Sequence, residues 1–208
     1  EVGETTATES DGSGGTRTTR TATGSGPATW FHDGTRNGIA DYVGDVWKWM
    51  SGLRIYKGEI QIFVGNLAAK QVSHLATSTY WKAILPNGSL VEPGTPGTLK
   101  YTKDFKIATD TGAAGSTYTP SFGNLVAGTG VTTIPEILKE LFLAPVSGVT
   151  HTGAFWINNE DERLPLVSGS YGTTSGAGPS ALHLSYPRSD VGANLGFFSA
   201  FMELESAI

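Results

Sequence analysis

The sequence predicts an α+β fold of short strands, two or three short helices and much irregular loop. Three observations carry this expectation. Gly and Pro together make up 38 of 208 residues, or 18%, against about 12% in an average chain, which implies many turns. Charged residues are 16%, below the roughly 25% of an ordinary domain, so a bundle of solvent-washed helices is not expected. Hydrophobic types are 38%, enough for one core, and the length is that of one to one and a half domains at roughly 150 residues each.

Residues 1–26 hold eight Thr, six Gly and three Ser and no aromatic residue. They bury too little apolar surface to offset their ordering entropy alone, and read as a flexible Thr/Gly/Ser-rich arm, or as an arm that orders on a partner subunit. The chain opens on Glu1 instead of Met, so a preceding segment is expected. One domain is expected over 27–208. It starts with a turn-rich stretch anchored by Trp30 and Phe31. Val43, Val46, Trp47 and Met50 share one helical face, which predicts a helix over 41–50. Leu53–Tyr56, Lys57-Gly58 and Glu59–Val64 predict a hairpin, the Lys-Gly pair supplying the positive-φ turn. A loose helical stretch is expected over 66–84, turn and loop over 86–98, a strand over 99–107, and a long surface excursion over 108–130. Ile137, Leu138, Leu141 and Phe142 predict an amphipathic helix over 135–143, with Pro135 near its start. Ala154–Ile157 reads as a buried strand and 196–204 as the last one. A core of Trp47, Trp49, Trp81, Trp156, Phe197 and Phe201 is expected.

Several functions are disfavoured. The formal charge of −5 opposes nucleic-acid binding, which needs a basic face. No apolar run is long enough to insert into a membrane. Zero Cys removes thiolate metal sites and a cysteine nucleophile. His32, His74, His151 and His183 show no zinc-site spacing, and Gly12-Ser13-Gly14-Gly15 lacks the strand and helix of a phosphate loop. The chain therefore reads as a non-enzyme with no cofactor. Asn158-Asn159-Glu160-Asp161-Glu162 is the one dense run of oxygen ligands; a solvated loop is the plainer reading, and a calcium-dependent carbohydrate-binding lectin is the alternative function.

The stretch 167–198 carries only Arg188 and Asp190 as charged residues. About half of it is Gly, Ala, Ser or Thr, and it also holds Tyr171, His183 and Tyr186. Small hydrogen-bonding residues around amphipathic aromatic anchors are what adaptable binding surfaces use, and loops this long are usually functional or disordered.

Gly44-Asp45-Val46-Trp47-Lys48-Trp49 followed by Gly52-Leu53-Arg54 resembles the GNVWEW…GLR segment of formylglycine-generating-enzyme-type C-type lectin folds. Arg163–Tyr171, Ala181-Leu182, Pro187-Arg188-Ser189 and Asn194–Phe201 resemble the C-terminal signature of variable proteins of diversity-generating retroelements, particularly those of phage and other viral tails. The likeness spans 30–64 and 154–204. It departs at Lys48, Val167 and Phe198, where the family pattern has Glu, Arg and Arg.

The resemblance implies a C-type lectin fold of the formylglycine-generating-enzyme subtype with a variable region at about 163–201. In that family a reverse transcriptase rewrites template adenines, so Asn codons scatter over many residue types while the scaffold stays fixed. Carried onto this chain, the variable, ligand-binding slots are Ser170, Gly172, Thr173, Thr174, Ser175, Ser180, His183, Ser185, Tyr186, Asp190, Gly192 and Ala193, with Tyr171 in the aromatic slot. The implied partner is a protein or glycan on a host cell surface, the implied location a virion tail or a cell surface, and a homo-oligomer is left open.

Overall fold

A computed structural model describes residues 3–10, 12–70 and 72–198. Most of its regular structure is strand. In chain order these are β1 (Thr5–Ser10), β2 (Thr16–Thr21), β3 (Trp47–Trp49), β4 (Leu53–Tyr56), β5 (Glu59–Ile62), β6 (Lys82–Ile84), β7 (Leu90–Val91) and β8 (Lys100–Tyr101). They continue as β9 (Lys106–Ala108), β10 (Ser116–Thr119), β11 (Val126–Ala127), β12 (Phe155–Asn158), β13 (Glu162–Val167), β14 (Leu182–Tyr186) and β15 (Leu195–Gly196). Among the described residues α1 (Glu136–Glu140) is the one α-helix, and four short 3-10 turns complete the set. The fold is thus β-rich, and the expected α+β class fits only loosely. Apolar residues come in short bursts closed by positive-φ turns, which leaves little room for sustained helical periodicity.

Among the described residues all strands but β1 and β2 join one 13-stranded sheet; nine follow the path β10-β12-β14-β13-β4-β5-β8-β9-β11, and β3, β15, β6 and β7 branch from it. β13 is its pivot. One edge pairs with β14; the other pairs with β4 at Glu162 and Arg163 and with β3 at Leu166 and Val167. A register shift between Leu164 and Leu166 interrupts the ladder, as a bulge does when it re-aims a strand. β15 pairs in parallel with β3, so residues near the two ends of the domain lie side by side.

The β4–β5 hairpin forms as expected. Lys57 (φ 49°) and Gly58 (φ 80°) both take positive φ, matching the twist of the flanking strands. Strand β12 and helix α1 also fall where expected, α1 being shorter, with Pro135 at its N-cap and Leu138 fully buried. Elsewhere the chain departs from expectation. Residues 41–46 are turn, not helix: Asp41, Gly44 and Asp45 all have positive φ, and Trp47–Trp49 is a strand held by β13 and β15. Only Leu67–Ala69 of 66–84 is helical, as one 3-10 turn. Residues 99–107 split into β8 and β9, an antiparallel pair. The stretch 108–130 is no mere excursion, since it supplies β10, β11 and the buried Phe122 and Leu125. Within the Thr-rich arm, β1 and β2 pair as an antiparallel hairpin. The Ala22 N–H on Glu4 O (2.8 Å) extends the pairing, and the Gly24 N–H on Asp41 Oδ2 (2.9 Å) ties the arm to the 41–46 turn.

The main core lies on one face of the sheet and contains Ile55, Ile60, Tyr101, Phe122, Leu138, Phe155, Ile157 and Leu184. Of the expected aromatic core, Trp47 and Trp81 are buried, while Trp49 and Trp156 are half-buried on the opposite face. Phe197 is 75% exposed, because β15 ends at Gly196 and releases it outward. Phe201, and 199–204 of the expected last strand, lie outside the described residues.

Candidate functional site

The two faces of the sheet separate by simple alternation. In β12, Phe155 and Ile157 enter the main core and Trp156 points the other way; in β14, Leu182 and Leu184 enter it and His183 does not. Register then places Tyr118, Trp156, His183, Leu166 and Trp49 in one cross-strand row over β10, β12, β14, β13 and β3. The row is nearly continuous aromatic contact. Tyr118 lies 4.9 Å from Trp156, which stacks on His183 at 4.8 Å with planes 4° apart. Tyr186 meets His183 edge-on at 4.7 Å and Trp49 at 6.4 Å. Trp47 supports the row from its buried side, edge-on to Trp156 and to His183, both at 5.3 Å. Such pairs contribute about 0.5–1.5 kcal/mol each beyond area burial, so the platform is stiff. Burial pushes the His183 ring down to about 4, and its Nδ1 has no hydrogen-bond partner among the described residues.

The thirteen expected slots fall into separate groups. His183, Ser185 and Tyr186 lie on β14; His183 and Tyr186 stand in the aromatic face, and the Ser185 Oγ is buried without a partner. Ser170 to Ser175 form a tight turn docked on the 41–46 segment through the Tyr171 N–H on Asp45 O (2.8 Å). In it Tyr171 is 68% exposed and Gly172, Thr174 and Ser175 are exposed, with Thr173 half-buried. Ser170 departs from the expected surface position: it is 5% exposed, its N–H bonds Thr173 Oγ1 (2.8 Å) and its Oγ lies 3.2 Å from the same atom. It closes the turn from inside. Likewise His183 is a packed member of the row more than a free surface residue. Asp190, Gly192 and Ala193 occupy the loop before β15, which returns to the row where the Trp47 N–H bonds Asn194 O (2.8 Å). Ser180 stands apart from these groups, half-buried, with its Oγ 3.4 Å from His151 Nδ1. Tyr171 makes no ring contact with the row among the described residues. It instead lines a 560 Å³ cavity with Thr18, Trp30, Asp41, Tyr42 and Asp45. There burial, then the neighbouring Asp41, raises the Asp45 carboxyl above its ordinary value.

Comparison with protein-family models and with curated proteins finds no match. The chemistry must therefore be read from the chain alone. Among the described residues no group of three His, Asp or Glu is arranged to hold a metal ion. The acidic run has other employment. Asn158 Oδ1 accepts from the Glu160 N–H and from Arg163, both at 3.0 Å, and Asn159 Oδ1 accepts from the Gly115 N–H at 2.9 Å. Glu162 is clamped by Arg54 (3.0 Å) and Arg188 (2.9 Å). Burial alone would raise its carboxyl, but the bonds and charges of Arg188 and Arg54 outweigh this and hold it low. Nothing in this geometry favours a calcium cage. Ser51 Oγ and His74 Nδ1 are 2.9 Å apart, yet among the described residues no carboxylate bonds His74 to complete a nucleophile-activating relay.

The sequence reading missed the buried polar network of the β4–β5 hairpin. Arg54 Nε donates to Gln61 Oε1 (2.6 Å), Gly94 N–H to Glu59 (3.1 Å), and Thr98 Oγ1 to Glu59. Arg54 also lies 4.6 Å from the Trp81 ring centre. The pairing of Arg54 with Gln61 across the hairpin was the one local signal of it.

Proposed function

We propose that this chain is a target-binding protein, with no catalytic role, that displays interchangeable residues on a rigid β scaffold. We further propose that it is a variable protein of a diversity-generating retroelement on a C-type lectin fold of the formylglycine-generating-enzyme subtype, carried on a virion tail or a cell surface. Its target is a protein or glycan of a host cell. The observation that supports this reading best is the aromatic row. It packs His183 and Tyr186 with Trp47, Trp49 and Trp156 into one stiff face, with the 190–193 loop leading back to Trp47 and the mostly exposed 171–175 turn docked on Asp45. Rigid aromatic anchors give affinity at low entropic cost, and exposed turn residues change with little effect on stability.

Sequencing the DNA on either side of the coding region tests the diversification claim. A near-copy of the codons for 163–201, differing at adenines and lying beside a reverse-transcriptase gene, is expected. Its absence would reject diversification.

A further inference from the structure

On the core side of β3, opposite Val167, Lys48 is 2% exposed. Its Nζ donates to Gly44 O and faces the Phe198 ring at 5.6 Å. An ammonium carries three donors, and that carbonyl is its one hydrogen-bond acceptor among the described residues. Asp45 and Asp41 are the acids acting on it, and burial still brings it down to about 8.

Lys48 lines a pocket of 570 Å³ whose walls are otherwise largely apolar, including Leu53, Ile62, Phe63, Leu143 and Leu182. That volume lies within the roughly 300–1,000 Å³ of small-molecule sites. Ser168 also lines it; this residue is fully buried and its Oγ has no partner among the described residues. Met50, Leu141, Phe142 and Phe198 are all exposed and all line the same pocket. Phe142 is held out by a left-handed backbone (φ 57°), unusual for a bulky residue. Grouped exposed apolar side chains mark a binding surface, and a buried cation with unused donors is complementary to an anion.

We propose that this pocket binds a small apolar monocarboxylate, its carboxylate on Lys48 Nζ and its hydrocarbon body against Phe63, Leu143 and the Met50–Phe142–Phe198 rim. The Ser168 hydroxyl gives the pocket wall a second donor. This site does not depend on the diversification reading.

Calorimetry of the full chain with octanoate, octylamine and 1-octanol tests it. Octanoate should bind one per chain, and the amine and the alcohol about tenfold or more weaker, the worth of a charge-assisted hydrogen bond. Lys48→Met should weaken octanoate by about the same factor with unchanged circular dichroism. If that variant misfolds, reductive dimethylation of the wild-type chain with formaldehyde, read by peptide mass spectrometry, replaces it. Octanoate should slow labelling of Lys48, and octylamine should not. Equal binding of the three probes, or octanoate binding that leaves Lys48 labelling or the Lys48→Met affinity unchanged, would overturn the proposal.

Discussion

Lowering the pH should weaken the fold through His183, and the size of the effect follows from its surroundings. The ring is stacked on Trp156, edge-on to Trp47 and Tyr186, and its Nδ1 finds no partner among the described residues. Protonation would place a charge in that apolar stack, so burial brings the ring from an ordinary 6.5 to about 4 in the folded chain. Between these values the unfolded chain holds more protons than the folded one, so stability is complete above pH 6.5 and is lost as pH falls toward 4. The difference amounts to at most about 3 kcal/mol, and nearer 2 once the partly solvated edge of the ring is allowed for. Urea unfolding of wild type and His183→Phe at pH 7.5 and pH 4, followed by tryptophan fluorescence, isolates it. The Phe ring keeps the stack and does not titrate, while every other group titrates alike in both chains. Wild type should lose about 2–3 kcal/mol more than the variant over that interval. Equal losses would refute the burial argument.

Arg54→Met should cost about 1–3 kcal/mol in denaturant unfolding, because it removes the donor of the buried Gln61 Oε1 while Arg188 still holds Glu162; a cost under about 0.5 kcal/mol would mean the network is incidental. Gly153→Ala should lower the melting temperature, since a Cβ there would sit 2.4 Å from Ala181 N at φ +118°, a strain of about 1–3 kcal/mol. Replacing Tyr171, Thr174 or Ser175 by unrelated residues should change unfolding by only about 0.5 kcal/mol. Thr174 is best exchanged for Asn, which tolerates its left-handed backbone (φ 52°). Ser170→Lys should destabilise the chain clearly, because residue 170 is buried inside the turn.

Features set by neighbours in sequence were legible. The β4–β5 hairpin follows from Lys57-Gly58, and α1 from Pro135 and the spacing of Ile137, Leu138 and Leu141. Features set by distant partners were not. Val43, Val46, Trp47 and Met50 do have helical spacing, yet Asp41, Gly44 and Asp45 adopt left-handed backbone and the ladder from β13 and β15 captures Trp47–Trp49. Glu59 and Gln61 are polar residues buried in the hairpin, at 5% and 1% exposure. Their burial becomes intelligible only with Thr98 and Gly94 in place. The candidate face was legible in part: 171–175 and 190–193 emerge mostly exposed, and Tyr186 joins the platform. Ser170 and His183 were misplaced: Ser170 is enclosed by the turn it closes with Thr173, and His183 by the cross-strand stack on Trp156, which no local pattern reveals.

The pivot position of β13 has a kinetic consequence. Ile55 pairs with Arg163, and Arg54 is joined to Glu162 over a separation of 108 residues. On the ribosome, β3 and the outer edge of the β4–β5 hairpin emerge early and must wait, unsatisfied, until β13 and β15 have been synthesised. Pairings of such long range make folding slow and expose the nascent chain to aggregation. The polar Arg54 on β4, with Glu59 and Gln61 on its partner β5, would help keep this waiting hairpin soluble until the late strands arrive.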